Sequence, residues 1–252
     1  MNHYLESLST ASGHTTYMNL LIAVLPCVFL LRYIYRADKL EKENMSLLIR
    51  VFLLGIVSII PTLIIELTLN SFYDHINFSN PIIGNFVYAF FVVALVEEAC
   101  KYFYVKKTTW NHKEFNCDFD GVVYAVFGSL GFAMLENIMY VFQYGFFIGI
   151  MRAILSVPGH MMFSVFFGIQ YGKARRAALG RGSGNPKALM LKGLFGAVLT
   201  HGLYDFFAFM GWNLLFYLFV ILLYMIAFSR LKKVSARDKY FSYTDDGEER
   251  NV

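Results

Sequence analysis

Seven apolar runs succeed one another along the chain, at roughly 17–35, 46–69, 82–105, 121–143, 147–171, 189–209 and 212–230. Each is near the ~20 residues that a helix needs to cross ~30 Å of hydrocarbon. A segment in lipid must satisfy its own backbone, so the pattern predicts an all-α, polytopic membrane bundle of about seven transmembrane helices. The fifth run carries Pro158 and Gly159 in its middle. That pair leaves three forms open for this run: one span, two half-helices or a re-entrant segment.

The polar connections alternate in character. Residues 1–16, 70–81, 144–146 and 210–211 contain no Lys or Arg. The opposite connections hold Arg32, Arg36, Lys39, Lys42 and Arg50, then Lys101, Lys106, Lys107 and Lys113, then Lys173, Arg175, Arg176, Arg181, Lys187 and Lys192, and finally the basic residues after Arg230. The positive-inside bias therefore predicts an outside N-terminus and a cytoplasmic C-terminus. Arg152 alone is left over, and an outer-interface anchor is the expected role.

Composition agrees with this reading: 57% of residues are hydrophobic, 16% are charged, and the mean hydropathy is +0.50. The net charge of +4 follows from topology, so no nucleic-acid partner is implied. With no basic n-region, the first run is expected to be a retained span in a multi-pass protein of the cell membrane. Cys27, Cys100 and Cys117 form no CxxC pair and predict neither a disulfide framework nor a thiolate zinc site. No internal repeat is evident. Residues 1–252 read as a single integral membrane domain, with a motif-bearing core at about 82–210 and a cytoplasmic tail over 233–252.

Ionisable residues inside the runs change the picture. Glu97 and Glu98 lie side by side in apolar sequence, and Lys101 follows one turn later. An unpaired carboxylate in hydrocarbon costs several kcal/mol, roughly, so such acids are functional-site candidates. The two Glu point about 100° apart, whereas Lys101 can reach either. One Glu is then expected to face a site while Lys101 neutralises the other. A plain buried ion pair between helices is the competing structural reading.

Glu136, His160, His201 and Asp205 complete the set. His201 and Asp205 share a helix face at i and i+4, on a run made slim by Gly193, Gly196 and Gly202. At ~1.5 Å per residue, Glu97 and His160 lie ~12 Å from the inner end of their spans, His201 at ~18 Å, and Glu136 and Asp205 at ~22–24 Å. These depths permit one cavity or two layers. Carboxylates and neutral imidazoles are the ligand types of a zinc hydrolase, with a further Glu to take the proton from bound water. The expected assignment places Glu136, His160, His201 and Asp205 on zinc. Glu97 is then the first choice of base, supported by Glu98 and Lys101.

As a set, these motifs resemble the PrsW intramembrane proteases. Glu97-Glu98-Ala99-Cys100-Lys101 is similar to their EExxK motif, Phe132 to Asn137 to their FxxxEN element, and His160 and His201 to Asp205 to their later histidine motifs. Related prenyl-protein and bacteriocin-processing proteases usually read EExxxR and FxxxH, where this chain has Lys101 and Glu136. The resemblance implies a protease that cleaves a single-pass anti-sigma factor outside the cytoplasm, starting a stress response. Other readings of the same residues are a proton-coupled transporter or sensor, and a metal-dependent hydrolase of lipid amides.

Overall fold

The structure, a computed structural model, describes residues 2–241, with side chains from Thr16 onward. Helix α1 spans Asn2–Ala37. The second apolar run forms α2 (Met45–Val57) and α3 (Ile59–Tyr73), which meet at Ser58. There the Ser58 hydroxyl donates to the Gly55 carbonyl at 2.6 Å, and Pro61 sits in the first turn of α3, where its missing N–H leaves no bond unmade. The third run is α4 (Pro81–Val87), a π-helical stretch (Tyr88–Ala94) and α5 (Leu95–Thr109). Helix α6 (Asp120–Tyr144) carries the fourth run.

The fifth run is divided, one of the forms that its composition allows, but the break does not fall at Pro158–Gly159. Helix α7 (Phe146–Ile154) ends and α8 (Ser156–Ala178) begins around Leu155. Pro158 and Gly159 therefore lie in the first turn of α8, a position at which proline is tolerated. Helices α9 (Pro186–Phe209) and α10 (Asn213–Ala236) follow.

Six helical segments among the described residues are long and apolar enough to cross a membrane. Helix α9 is outside that set. Its 24 residues give it spanning length, about 36 Å at 1.5 Å per residue, but it includes Lys187, Lys192, His201 and Asp205.

Helix α6 is the most enclosed of the six and packs against α1, α2 and α8, while α8 also packs against α9 and α10. Between α6 and α8 lies the main core, with Phe119, Val122, Val126, Met161, Val165 and Phe167 among its buried side chains. Close crossing there requires glycine: a Cβ on Gly168 would meet Val122 Cα at 2.5 Å. Phe29, Leu67, Leu214 and Met225 are exposed on the periphery, as apolar side chains in contact with lipid must be.

At one end of the bundle a polar latch joins distant segments. Asp120 accepts from the backbone N–H groups of Asn116 and Cys117, at 2.9 and 2.6 Å, and Asp238 accepts from that of Phe119 at 2.9 Å. The Tyr124 hydroxyl donates to Glu43 at 2.5 Å. The expected tail is thus helical to Ala236 and docked as far as Phe241, whose N–H donates to the Asn116 carbonyl. Residues 242–252 of that tail lie outside the described residues.

Candidate active site

The polar residues of the apolar runs meet in one place. A cavity of about 500 Å³ is lined by Glu97, Glu136, His160, His201 and Asp205, together with Phe132, Phe163 and Tyr204. Of the two arrangements that the depth estimates allow, the structure has the single cavity.

Helix α5 supplies the carboxylate pair. The π-helical stretch just before it widens the turn from Tyr88 to Ala94, a feature that tends to occur at functional sites. Phe90 of that stretch packs onto Gly202 of α9, where an added Cβ would lie 2.6 Å from the ring. This close approach brings Glu97 and Glu98 to His201. Lys101 binds both acids, its Nζ lying 3.0 Å from Glu97 Oε2 and 2.8 Å from Glu98 Oε1. The expected division, one Glu paired and the other free, is therefore corrected: spacings of i+3 and i+4 both reach one ammonium. The two acids still differ. Glu97 lines the cavity, whereas Glu98, 1% exposed, is enclosed behind it and also bonds His201 Nδ1 at 2.9 Å.

Each histidine is held on its far side by an acid. His160 Nε2 lies 2.9 Å from Glu136 Oε2, and its Nδ1 is 3.1 Å from Lys101 Nζ. Lysine ammonium can only donate, so Nδ1 accepts and Nε2–H donates to Glu136, which defines a neutral tautomer. His201 Nε2 lies 3.3 Å from Asp205 Oδ2, and Phe163 stacks on the His201 ring at 4.7 Å between centroids. Ser129 donates to the His160 carbonyl at 2.9 Å and fixes the α8 backbone against α6.

Among the described residues, Glu97, Glu98, His160 and His201 form a buried group whose ligand atoms all lie within 4.8 Å of one another. This differs from the expected set of Glu136, His160, His201 and Asp205. Glu136 and Asp205 sit behind the imidazoles, because Asp205 shares a helix face with His201 and reaches only its outer nitrogen. The donor chemistry suits a cation. The Lys101 ammonium already stands where Glu97, Glu98 and His160 converge, so a divalent ion and this ammonium would draw on the same donors.

Arg152 is not an interface anchor. Its side chain is buried, 2.7 Å from Glu136 Oε2, and its Nε donates to Asn137 Oδ1 at 3.2 Å. Tyr140 lies against the guanidinium, 4.0 Å from ring centroid to Cζ. Its leftover status in the Lys and Arg pattern was the signal of an internal role. Glu66 of α3 also lines the cavity and was missed, although an acid within the 46–69 run meets the same criterion that singled out Glu97.

A multi-span helical protein that encloses paired carboxylates and two histidines around a cavity of about 500 Å³ has the makings of an intramembrane hydrolase. Comparison with known proteins specifies the class. The model of the PrsW family intramembrane metalloproteases matches residues 43–229. The chain is 34% identical to Protease PrsW of Oceanobacillus iheyensis over 84% of its own length and 94% of that protein, and 32% identical to Protease PrsW of Bacillus subtilis over 85% and 93%. Protease PrsW of Geobacillus kaustophilus is 34% identical over 83% of this chain and 89% of the relative. No solved structure matches significantly. The chain belongs to the PrsW family of intramembrane metalloproteases and is a multi-pass membrane peptidase.

Proposed function

We propose that this protein cleaves a single-pass membrane protein, an anti-sigma factor, near the outer end of its span, with Glu97 as general base. The exposure of Glu97 to the cavity, with Glu98 enclosed behind it, is the observation that carries the assignment. Glu97 takes a proton from water, the resulting hydroxide adds to the scissile carbonyl, and the proton passes to the departing amine as the C–N bond breaks. Glu98 and Lys101 position Glu97 and set the charge around it. Glu136 and Asp205 orient His160 and His201 through the imidazole Nε2 atoms, which leaves Nδ1 of His201 on Glu98 and Nδ1 of His160 on Lys101.

Imidazole and carboxylate donors are zinc ligands, and His160 and His201 with a carboxylate of the Glu97–Glu98 pair would hold such an ion once Lys101 released the donors that it now binds. When bound, such an ion acidifies water and polarises a carbonyl. The basic-residue pattern supports outer access for the substrate, because the positive-inside bias predicts the Asp205 end of α9 toward the outside. Peptide just beyond a span is also easier to unwind than its lipid-buried centre. A strong chelator should abolish cleavage by purified protein in liposomes and zinc should restore it, with His201→Ala losing the metal. Full activity without stoichiometric metal would contradict the zinc assignment.

A further inference from the structure

Among the described residues, Glu66 is the one acid at the cavity with no ion-pair partner. Glu97 and Glu98 share Lys101, Glu136 has Arg152 and His160, and Asp205 lies beside His201. Glu66 has none: its Oε1 is buried with no hydrogen-bond partner, and no cation lies within ion-pair distance among the described residues. Glu97, Glu136, Lys101 and His201 are near enough to act on its charge, but none of them contacts it. A charged carboxylate in such a place is costly, and a cationic donor brought in by a substrate would offset that cost.

The surroundings of Glu66 define what that donor is. It stands on the face of α3 that also presents Ile59, Thr62 and Leu63 to the cavity. The Thr62 hydroxyl already donates to the Ser58 carbonyl at 2.9 Å, so the α3 wall below Glu66 is effectively apolar. Apolar walls ending in one carboxylate fit a long aliphatic stem with a cationic head, which is the chemistry of lysine and arginine side chains. We propose that Glu66 is a specificity-determining subsite that binds a Lys or Arg side chain of the substrate close to the scissile bond. The proposal rests on the cavity being the place of cleavage. Lys101, on Glu97 and Glu98, and Arg152, on Glu136, are committed to other acids and make no ion pair with Glu66.

The test uses the full chain in liposomes and a set of single-span peptides in which one residue near the cleaved bond is Lys, Arg, Leu or Glu. Products are mapped by mass spectrometry. The wild type should cleave the Lys and Arg peptides at least about tenfold more efficiently than the Leu peptide at one position, as a buried charge-assisted contact provides. Glu peptides should be the poorest. Glu66→Gln should reduce that preference ratio to near one, and Glu66→Lys should invert it toward Glu. A wild type indifferent to the varied residue, or a Lys preference that survives in Glu66→Gln, overturns the proposal. Loss of cleavage of every peptide in Glu66→Gln would also overturn it, by placing Glu66 in the chemistry. Cleavage by Glu97→Gln at the wild-type rate would instead count against the active-site assignment.

Discussion

Arg152 shows how one side chain holds the site together. Burying a guanidinium costs a large desolvation free energy, and it is offset here because Glu136 and Asn137 both bind it. Removing it strands Glu136 without its main counter-charge. Arg152→Ala should therefore destabilise the protein by about 3–5 kcal/mol. Arg152→Lys should recover only part, because a single ammonium cannot reproduce the fork that meets two acceptors. Thermal unfolding in detergent checks this, and wild-type stability in Arg152→Ala would show that the pair contributes nothing. Glu97, Glu136, His160, His201 and Asp205, which line the cavity, stood out in the sequence because acids and histidines have few reasons to lie in apolar runs, whereas Glu66 and Arg152 did not. The pairing was not legible: whether Lys101 meets one Glu or two depends on rotamers and neighbouring helices that spacing leaves open.

At the scale of elements, the site depends on how closely α9 approaches the π-helical stretch. Phe90 on Gly202 sets that distance. Gly202→Ala should force the two apart and separate His201 from Glu98, with an overpacking cost of about 1–3 kcal/mol. Proteolysis should fall at least tenfold, and Phe90→Leu in the same chain should restore part of it by vacating the volume. Undiminished cleavage in Gly202→Ala would mean that this contact does not position the histidine. Sequence periodicity located the spans well, since span length follows directly from apolar composition. It could not foresee the π-helical stretch, or the breaks at Ser58 and Leu155. Those depend on how backbone groups freed in one helix are satisfied by its surroundings. Pro158 was misleading for the same reason: a proline disrupts a helix interior but fits a first turn.

The whole molecule places its chemistry and its latch in different regions. Asp38, which follows α1, is buried near enough to Asp238 of the latch for their charges to interact; burial pushes the carboxyl groups of Asp38 and Glu43 up to about 7 and that of Asp238 up to about 6. The folded state thus holds these protons more tightly than the unfolded chain, whose acids titrate near 4, roughly. The resulting stabilisation is complete below that value and is lost as pH rises through about 6 to about 7. Hydrogen exchange over residues 110–119 should accordingly be slower at acidic than at alkaline pH once corrected for intrinsic rates. Asp38→Asn should flatten the dependence. An unchanged profile in that variant, or slower exchange at alkaline pH, would contradict the linkage.

The central claim is that Glu97, facing the cavity, activates the water that hydrolyses a membrane-embedded peptide bond. The most direct measurement maps new termini of a single-pass substrate by mass spectrometry, after incubation in liposomes with the wild type or with Glu97→Gln. The substitution keeps the side chain's shape and removes the base. The account predicts a cut at the outer end of the substrate's span with the wild type, without ATP, and none with Glu97→Gln, although that variant inserts and folds. Equal cleavage by the two proteins, or a Glu97-dependent cut in the substrate's cytoplasmic domain, would contradict it.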